Sequence, residues 1–219
     1  MKTIRLFLYL FILGSFNSLF AQEVVGSGMI FPHFEKGVAI FKNQTRTSAL
    51  FNYDMMQQQM LFLGADSVVM TLANPLEILV VIIGERRFLP ISAQGVFYEE
   101  VQAGKGSLFV QWEASMLSAG KAAAYGGYSS TSSITSYGSW QSRGSNVKLN
   151  PDEKFRLSVK ATYYLKSGNS YKKFFTAKSL GKLFKGHESE IEKYAKEQSI
   201  DFSKSDDVVR IVEYGYSLN

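Results

Sequence analysis

Short apolar runs alternate with turn residues between positions 37 and 115, and this alternation limits the fold more than any other feature of the chain. Seven runs of five to eight residues are rich in β-branched and aromatic side chains, which is typical of strands. Turn-forming groups such as Gly64-Ala65-Asp66, Asn74-Pro75 and Gly104-Lys105-Gly106 separate them. We therefore expect an antiparallel meander of about seven strands. The runs are 37–42, 47–53, 59–63, 67–72, 77–83, 95–101 and 107–114.

The run at 77–83 differs from the others because it is almost continuously apolar. Such a run is typical of a strand that is buried on both faces, or of the central strand of a curled sheet. The next segment, 85–90, is polar and ends in Pro90. Because proline cannot donate a ladder hydrogen bond, we expect this segment to lie near a sheet edge. The sheet is expected to curve into a small barrel or roll around residues 78–83.

The pattern changes again after residue 150. Residues 154–165 and 170–176, joined by a turn at 166–169, predict a two-stranded hairpin. Beyond it the apolar spacing becomes helical, which predicts about three short helices in a tail at 177–219. Helices this short must pack on another surface, and the sheet is the nearest one. The prediction is a single α+β domain over 22–219: an antiparallel curved β-meander or small barrel or roll, a C-terminal hairpin and about three helices.

The third helix has a recognisable start in the sequence. Ser203 followed by Asp206 resembles a capping arrangement, and Asp206 and Asp207 in a first turn suit the positive end of the helix dipole. We therefore expect the last helix to begin at about Ser203.

The first 21 residues have the organisation of a secretory signal peptide. Lys2 and Arg5 precede an apolar stretch at 6–13, and Ala21 precedes the expected cleavage point. Eight apolar residues are too few for a membrane-spanning helix, which needs about 20. The chain has no cysteine, so it has no lipidated cysteine, disulfide framework or thiolate metal site. We expect an exported protein of the periplasm, the outer-membrane surface or the medium, without a transmembrane segment after cleavage.

Positive charge is concentrated in one part of the mature chain. Residues 22–150 contain 9 basic and 9 acidic side chains, whereas 154–186 contain 9 basic and no acidic ones, interleaved with aromatic residues. Such a block suits phosphate or sulfate groups, and in an exported protein these belong to a glycan, lipopolysaccharide or membrane surface rather than to nucleic acid. The alternative interpretation is structural: lysines protect an edge strand from pairing while the rings face the core.

A Ser/Tyr/Gly-rich segment at 117–146 interrupts the strand pattern. It is long for a connection inside a compact domain, so we expect a flexible loop or a segment that a partner orders. Its aromatic residues make it a second candidate for binding. The predicted binding residues are Lys172, Lys173, Lys178, Lys182, Tyr164 and Tyr171 around the hairpin, and Tyr128, Tyr137 and Trp140 in the loop.

No catalytic or metal-binding motif is complete. A zinc-protease helix that began at His187 would need a second histidine where Ile191 stands. We interpret His187 as a helix N-terminal residue followed by dipole-complementing glutamates, with metal binding by His187 and Glu188 or Glu190 as the alternative. No serine lies in a Gly-x-Ser-x-Gly elbow. The sequence therefore predicts no catalytic residue, metal or cofactor.

Several short motifs together resemble a group of secreted bacterial envelope proteins. They are Phe51-Asn52-Tyr53-Asp54, Arg87-Phe88-Leu89-Pro90, Phe97-Tyr98-Glu99-Glu100, the Ser/Tyr/Gly-rich interruption, the Lys-rich hairpin and Ile200-Asp201-Phe202. The resemblance implies export and this order of elements, and it implies no activity.

Two functions from different classes follow from the sequence. The first is a non-enzymatic binding or scaffolding protein that recognises an envelope component, a protein or an anionic glycan or lipid surface, through the basic aromatic hairpin. The second is a hydrolase acting on envelope glycans, with Glu99 or Glu113 as its carboxylate. Neighbouring Glu99 and Glu100 are expected on opposite faces of a strand, so they cannot share one site.

Overall fold

The computed structural model describes residues 28–118, 121–122, 128–129 and 155–218. It is an α+β fold, as predicted: an antiparallel ten-stranded sheet, a separate two-stranded pair and three C-terminal α-helices. The predicted signal peptide at 1–21 lies outside the described residues. The same holds for most of the predicted loop at 117–146, including Tyr137 and Trp140.

The strands follow the predicted apolar runs and hairpin closely, and further strands lie at 86–90, 121–122 and 128–129. They are β1 (Glu35–Phe41), β2 (Arg46–Asp54), β3 (Gln59–Leu63), β4 (Val69–Thr71), β5 (Ile78–Ile83), β6 (Arg86–Pro90), β7 (Phe97–Ala103), β8 (Gly106–Ser118), β9 (Lys121–Ala122), β10 (Tyr128–Ser129), β11 (Phe155–Ser167) and β12 (Ser170–Phe174). The helices are α1 (Ala177–Gly181), α2 (Glu188–Glu197) and α3 (Ser205–Ser217).

The strand order of the large sheet is β12-β11-β8-β7-β6-β5-β1-β2-β3-β4. Strands β1 to β4 and β5 to β8 each form a meander, and the two meanders meet because β5 pairs with β1 instead of β4. Within the described residues the sheet does not close, so β4 and β12 are its two edges. The pair β9–β10 lies inside the segment predicted as a loop.

Two apolar cores lie on the same face of the sheet, which we call the inner face. The first core packs α1, α2 and α3 on β7, β8, β11 and β12, around residues such as Leu108, Phe174 and Ile211. The second fills the curved N-terminal half of the sheet around Phe51 and Phe88. Trp112 packs against both clusters, so it joins them.

Strand β6 corrects the prediction that residues 85–90 lie near a sheet edge. It lies between β5 and β7, with both neighbours paired. Pro90 is tolerated because the pairing of β6 with β5 ends at Phe88, so no ladder hydrogen bond is required on the side that its nitrogen faces. The polar residues Arg86 and Arg87 form ion pairs with Glu99 and Glu100 on β7, so their charge reflects cross-strand pairing and not an open edge.

The three predicted helices are all present. Their apolar residues Leu180, Ile191 and Val208 are completely buried, as expected for short helices stabilised by packing. Helix α3 begins at Ser205 after Lys204, so the expected start at Ser203 is wrong. The Ser203 hydroxyl donates to the Asp201 carboxylate instead of capping the helix. None of the helices described is long and apolar enough to cross a membrane.

Candidate functional site

The β11–β12 hairpin divides its side chains between the two faces of the sheet. Its turn has Gly168 at φ +58°, the conformation that a type II′ turn requires at its first central residue. Tyr164 lies opposite Lys173, and Lys166 lies opposite Tyr171. Strand alternation therefore places these four side chains on the outer face, away from the helices. We call this surface the hairpin face.

Aromatic contacts anchor the two tyrosines of the hairpin face. The ring centroids of Tyr164 and Tyr98 are 4.8 Å apart, and those of Tyr171 and Phe109 are also 4.8 Å apart, edge to face. Burial, with Tyr98 nearby, raises the pKa of the Tyr164 phenol. Burial and the charge of Glu100 raise the pKa of Tyr171. Both phenols therefore stay neutral at physiological pH.

A chain of hydrogen bonds extends from Tyr164 across the outer face. The Tyr164 hydroxyl donates to Gln111 Oε1 at 2.8 Å, and Gln111 Nε2 donates to Gln58 Oε1 at 2.6 Å. Gln58 Nε2 donates to Glu113 Oε1 at 3.3 Å. These hydrogen bonds connect the β2–β3 turn to β8 and β11, so they help to fix the position of the hairpin face.

The lysines around the hairpin are exposed and have no ion-pair partner among the described residues. Elsewhere in the structure five of the basic side chains are paired with carboxylates. Lys173 instead places its Nζ 4.6 Å from the centroid of the exposed Phe175 ring. The unpaired lysines of β11, β12 and the α1 region are Lys160, Lys166, Lys172, Lys173, Lys178, Lys182 and Lys185.

The four predicted lysines do not share one face. Lys172 lies opposite the buried Leu165, so it is on the inner side, whereas Lys173 is on the outer side. Lys178 belongs to α1 and Lys182 caps its C-terminus, both on the helical side of the sheet. The predicted set therefore flanks the open edge of β12 from both sides. Tyr128 lies in β10, opposite Ala122.

The sequence prediction missed a polar cluster on the inner face. Glu99 Oε1 accepts a hydrogen bond from Arg86 Nε at 2.6 Å, and Glu99 Oε2 accepts from Arg86 Nη2 at 2.7 Å and from Trp112 Nε1 at 2.6 Å. The Arg86 guanidinium carbon lies 5.1 Å from the Phe31 ring centroid and 5.4 Å from that of Phe88. This bidentate pair with cation–π contacts lies where the two cores meet.

The position of Glu99 argues against the alternative in which it is the carboxylate of a glycan hydrolase. Its side chain is only 9% exposed, and both carboxylate oxygens are occupied by donors. Glu113 lies on the outer face, because its neighbour Trp112 shares the inner face with Glu99. The two carboxylates therefore point to opposite sides of the sheet and do not face each other across a cleft. A glycosidase needs two carboxyl groups that flank one bond.

The two histidines are accounted for by local structure. His187 is the N-cap residue of α2, as interpreted from the sequence, and its Nδ1 lies 3.7 Å from Glu190 Oε1. The exposed His33 contributes its backbone carbonyl, which accepts a hydrogen bond from Asn52. Among the described residues no group of three His, Cys, Asp or Glu side chains could hold a metal ion.

A shallow apolar groove of about 550 Å³ lies on the outer face, and Val38, Leu50 and Ile82 contribute to its walls. It is open to solvent, and Lys36 is its charged wall residue. None of the residues that line this groove is a carboxylate or a histidine, so the groove provides a surface for binding but no acid–base group.

Comparison with known proteins identifies no relative of this chain. No protein-family model, no curated protein and no solved structure matches the chain. Any assignment of function therefore depends on the residues of the hairpin region and their geometry.

Proposed function

We propose that this chain is an exported, non-enzymatic binding protein of the cell envelope that holds an anionic partner on the lysines and rings of β11, β12 and α1. The observation that carries the proposal is the set of seven exposed, unpaired lysines from Lys160 to Lys185, in a stretch that contains no acidic residue. Elsewhere among the described residues, five basic side chains form ion pairs, whereas none of these seven lysines does.

An unpaired lysine cluster attracts phosphate and sulfate groups because no local carboxylate cancels its field. The ammonium group of lysine acts as a compact point charge on a flexible stem, so it adapts to the irregular spacing of charges on a glycan or lipid surface. Lys172 and Lys173 project to opposite sides of β12, so the positive surface covers both faces of the sheet beside this strand. The rings of Tyr171 and Phe175 add apolar contact area beside these charges.

Export is part of the proposal and has separate support in the sequence. The basic residues Lys2 and Arg5, the apolar stretch at 6–13 and Ala21 form a cleavable signal peptide by pattern. The complete absence of cysteine fits a protein that needs no disulfide to fold in the envelope. In this compartment the anionic groups available to the hairpin are those of glycans and lipids.

The alternative function is hydrolysis of envelope glycans. Glu113 has one amide donor, Gln58, and is the carboxylate that this alternative requires, since Glu99 is neutralised by Arg86. On β11 the residue opposite Glu113 is Lys160 and not a second carboxylate. Binding is therefore the better-supported function.

Replacing the four predicted lysines should remove binding to an anionic matrix. A lysine near an anionic surface contributes about fivefold in affinity, so we expect the variant Lys172→Gln, Lys173→Gln, Lys178→Gln, Lys182→Gln to bind about six-hundredfold more weakly. The measurement is the salt concentration that elutes the mature protein, purified from the periplasm, from phosphocellulose and from sulfated dextran.

A second variant separates a local site from the effect of net charge. Lys193→Gln, Lys196→Gln, Lys204→Gln, Arg210→Gln also removes four positive charges, but from α2, α3 and the turn between them. We expect it to elute close to the wild-type position. Equal losses of retention in both variants would show that net charge, and not the hairpin region, causes the binding.

A further inference from the structure

The large sheet ends in two edge strands whose surroundings carry opposite charge. The exposed Asp66 and Glu77 lie in the segments before and after β4, and no basic residue lies between positions 47 and 85, whereas 157–186, which include β12, contain seven lysines and no acidic residue. We propose that β12 of one copy pairs with β4 of a second copy, so that the chain assembles head to tail into a continuous sheet. This inference goes beyond the proposed function, since it concerns the backbone edges of β4 and β12 and not the lysine and aromatic side chains that hold the anionic partner.

The backbone of β4 is ready to pair along its open side. Leu72 N–H donates to Met60 at 2.8 Å and Gly64 N–H donates to Val68 at 2.9 Å, so Val68 and Leu72 turn their backbone groups toward β3. In an antiparallel ladder these groups alternate. Val69 and Thr71 therefore direct their N–H and C=O groups outward, where none of the hydrogen bonds of the described residues reaches them.

The same reasoning applies to β12. In a two-residue hairpin the residues that flank the turn form a hydrogen-bonded pair, which here is Ser167 with Ser170. By alternation Lys172 and Phe174 turn their backbone groups toward β11. Tyr171 and Lys173 then direct theirs to the open edge. Each edge thus offers two residues with outward backbone donors and acceptors.

The strand directions also agree with head-to-tail pairing. The sheet has ten strands, and all nine neighbouring pairs are antiparallel. The first and last strands of such a sheet run in opposite directions. When a second copy joins in the same orientation, its β12 is antiparallel to β4 of the first. The inner face of one copy also continues into the inner face of the next. Val69 and Thr71 then lie on the outer face of the joined sheet, together with Tyr171 and Lys173.

Strand β4 is only three residues long, but it lacks the side chains that protect natural edges. It contains no lysine or proline, and Val68, Val69 and Met70 are 57%, 52% and 48% exposed. A β-branched residue opposite an aromatic one is a favourable cross-strand pair, and Thr71 opposite Tyr171 would be such a pair. Burial of these apolar side chains would add to the backbone hydrogen bonds of the joint.

Charge selects the mixed joint over the two symmetric ones. The exposed Asp66 and Glu77 lie before and after β4, so two β4 edges would bring like charges together. Two β12 edges would do the same with Lys172 and Lys173. The β4–β12 joint brings opposite charges together instead. Because it is heterologous, this joint can extend into a filament, which would display many hairpin faces to one anionic surface.

The test uses two edge-blocked variants of the mature protein in sedimentation velocity at low salt. Val69→Pro removes an outward N–H on β4, and Lys173→Pro removes one on β12; both sites lie where an edge strand tolerates proline. We expect wild-type protein to form concentration-dependent oligomers and each variant to be monomeric. An equimolar mixture of the variants should form only a dimer, because each supplies the edge that the other has lost.

Several results would overturn the proposal: monomeric wild-type protein at high concentration, a variant that dimerises alone, or a mixture that stays monomeric. Circular dichroism and thermal unfolding check that the variants fold. If one proline variant does not, Val69→Lys with Thr71→Lys replaces it at β4, or Lys172→Glu with Lys173→Glu replaces it at β12. The two charge variants are not mixed with each other, because their new charges are complementary. Val69→Pro keeps every lysine, so its retention on the anionic matrix reports on the proposed function independently of assembly.

Discussion

Replacing Arg86 with alanine is expected to lower the free energy of unfolding by about 3–5 kcal/mol, which is the cost of leaving a buried charge without its partner. The Glu99 side chain is 9% exposed, and Arg86 supplies two of its three hydrogen-bond donors. Without Arg86 only Trp112 Nε1 remains to stabilise that carboxylate. The measurement is urea unfolding monitored by tryptophan fluorescence and circular dichroism.

The chain provides its own control for this prediction. Arg87 forms the neighbouring ion pair with Glu100 on the same two strands, but its side chain is 49% exposed. We expect Arg87→Ala to cost only about 0–1 kcal/mol. The double change Arg86→Met, Glu99→Leu should recover most of the loss, because it removes both charges together. Equal effects of Arg86→Ala and Arg87→Ala would contradict the buried role of the Arg86–Glu99 pair.

Replacing Phe174 with alanine should also cost about 3–5 kcal/mol, the usual loss for a large aromatic residue in a core. Phe174 is 0% exposed, stacks on Tyr163 at 6.1 Å between centroids and contacts Phe202 edge to face. It therefore joins the edge strand β12 to the helices. Its loss should lower the midpoint of thermal unfolding and loosen the helical layer.

The adjacent Phe175 is the matched control, since it is the same residue type one position along the chain and is 55% exposed. We expect Phe175→Ala to change the free energy of unfolding by no more than about 0.5 kcal/mol. Both values come from the same urea titrations. If the two substitutions were equally destabilising, the assignment of Phe174 to the core and Phe175 to the surface would be wrong.

Local periodicity predicted most of the elements because each strand and helix carries its own pattern. The runs at 59–63 and 77–83, for example, match β3 and β5 within one residue. The order of the strands could not be predicted in the same way. It depends on the pairing of β1 with β5, which is a long-range contact that no local pattern encodes. For the same reason the polar pattern of residues 85–90 predicts a sheet edge, although β6 lies between β5 and β7.

Part of the candidate site could also be predicted from the sequence. The lysine block and the tyrosines are visible in composition, and strand alternation divides Lys172 from Lys173 once the hairpin is known. The Arg86–Glu99–Trp112 cluster was missed because its members come from three strands. The sequence does contain Arg86-Arg87 on one strand and Glu99-Glu100 on the next. Their pairing can be predicted only when the register of β6 against β7 is known.

The most direct test of the account is the affinity of the mature protein for anionic envelope material. Dissociation constants would be measured for vesicles that contain lipopolysaccharide and for a soluble anionic polysaccharide, at about 50 and about 300 mM salt. Screening should weaken binding by about tenfold or more between these conditions. The four-lysine hairpin variant should bind several hundredfold more weakly, and the matched α2–α3 variant should bind like wild type. The absence of binding to either material at low salt, or binding that is indifferent to salt and to these lysines, would contradict the account.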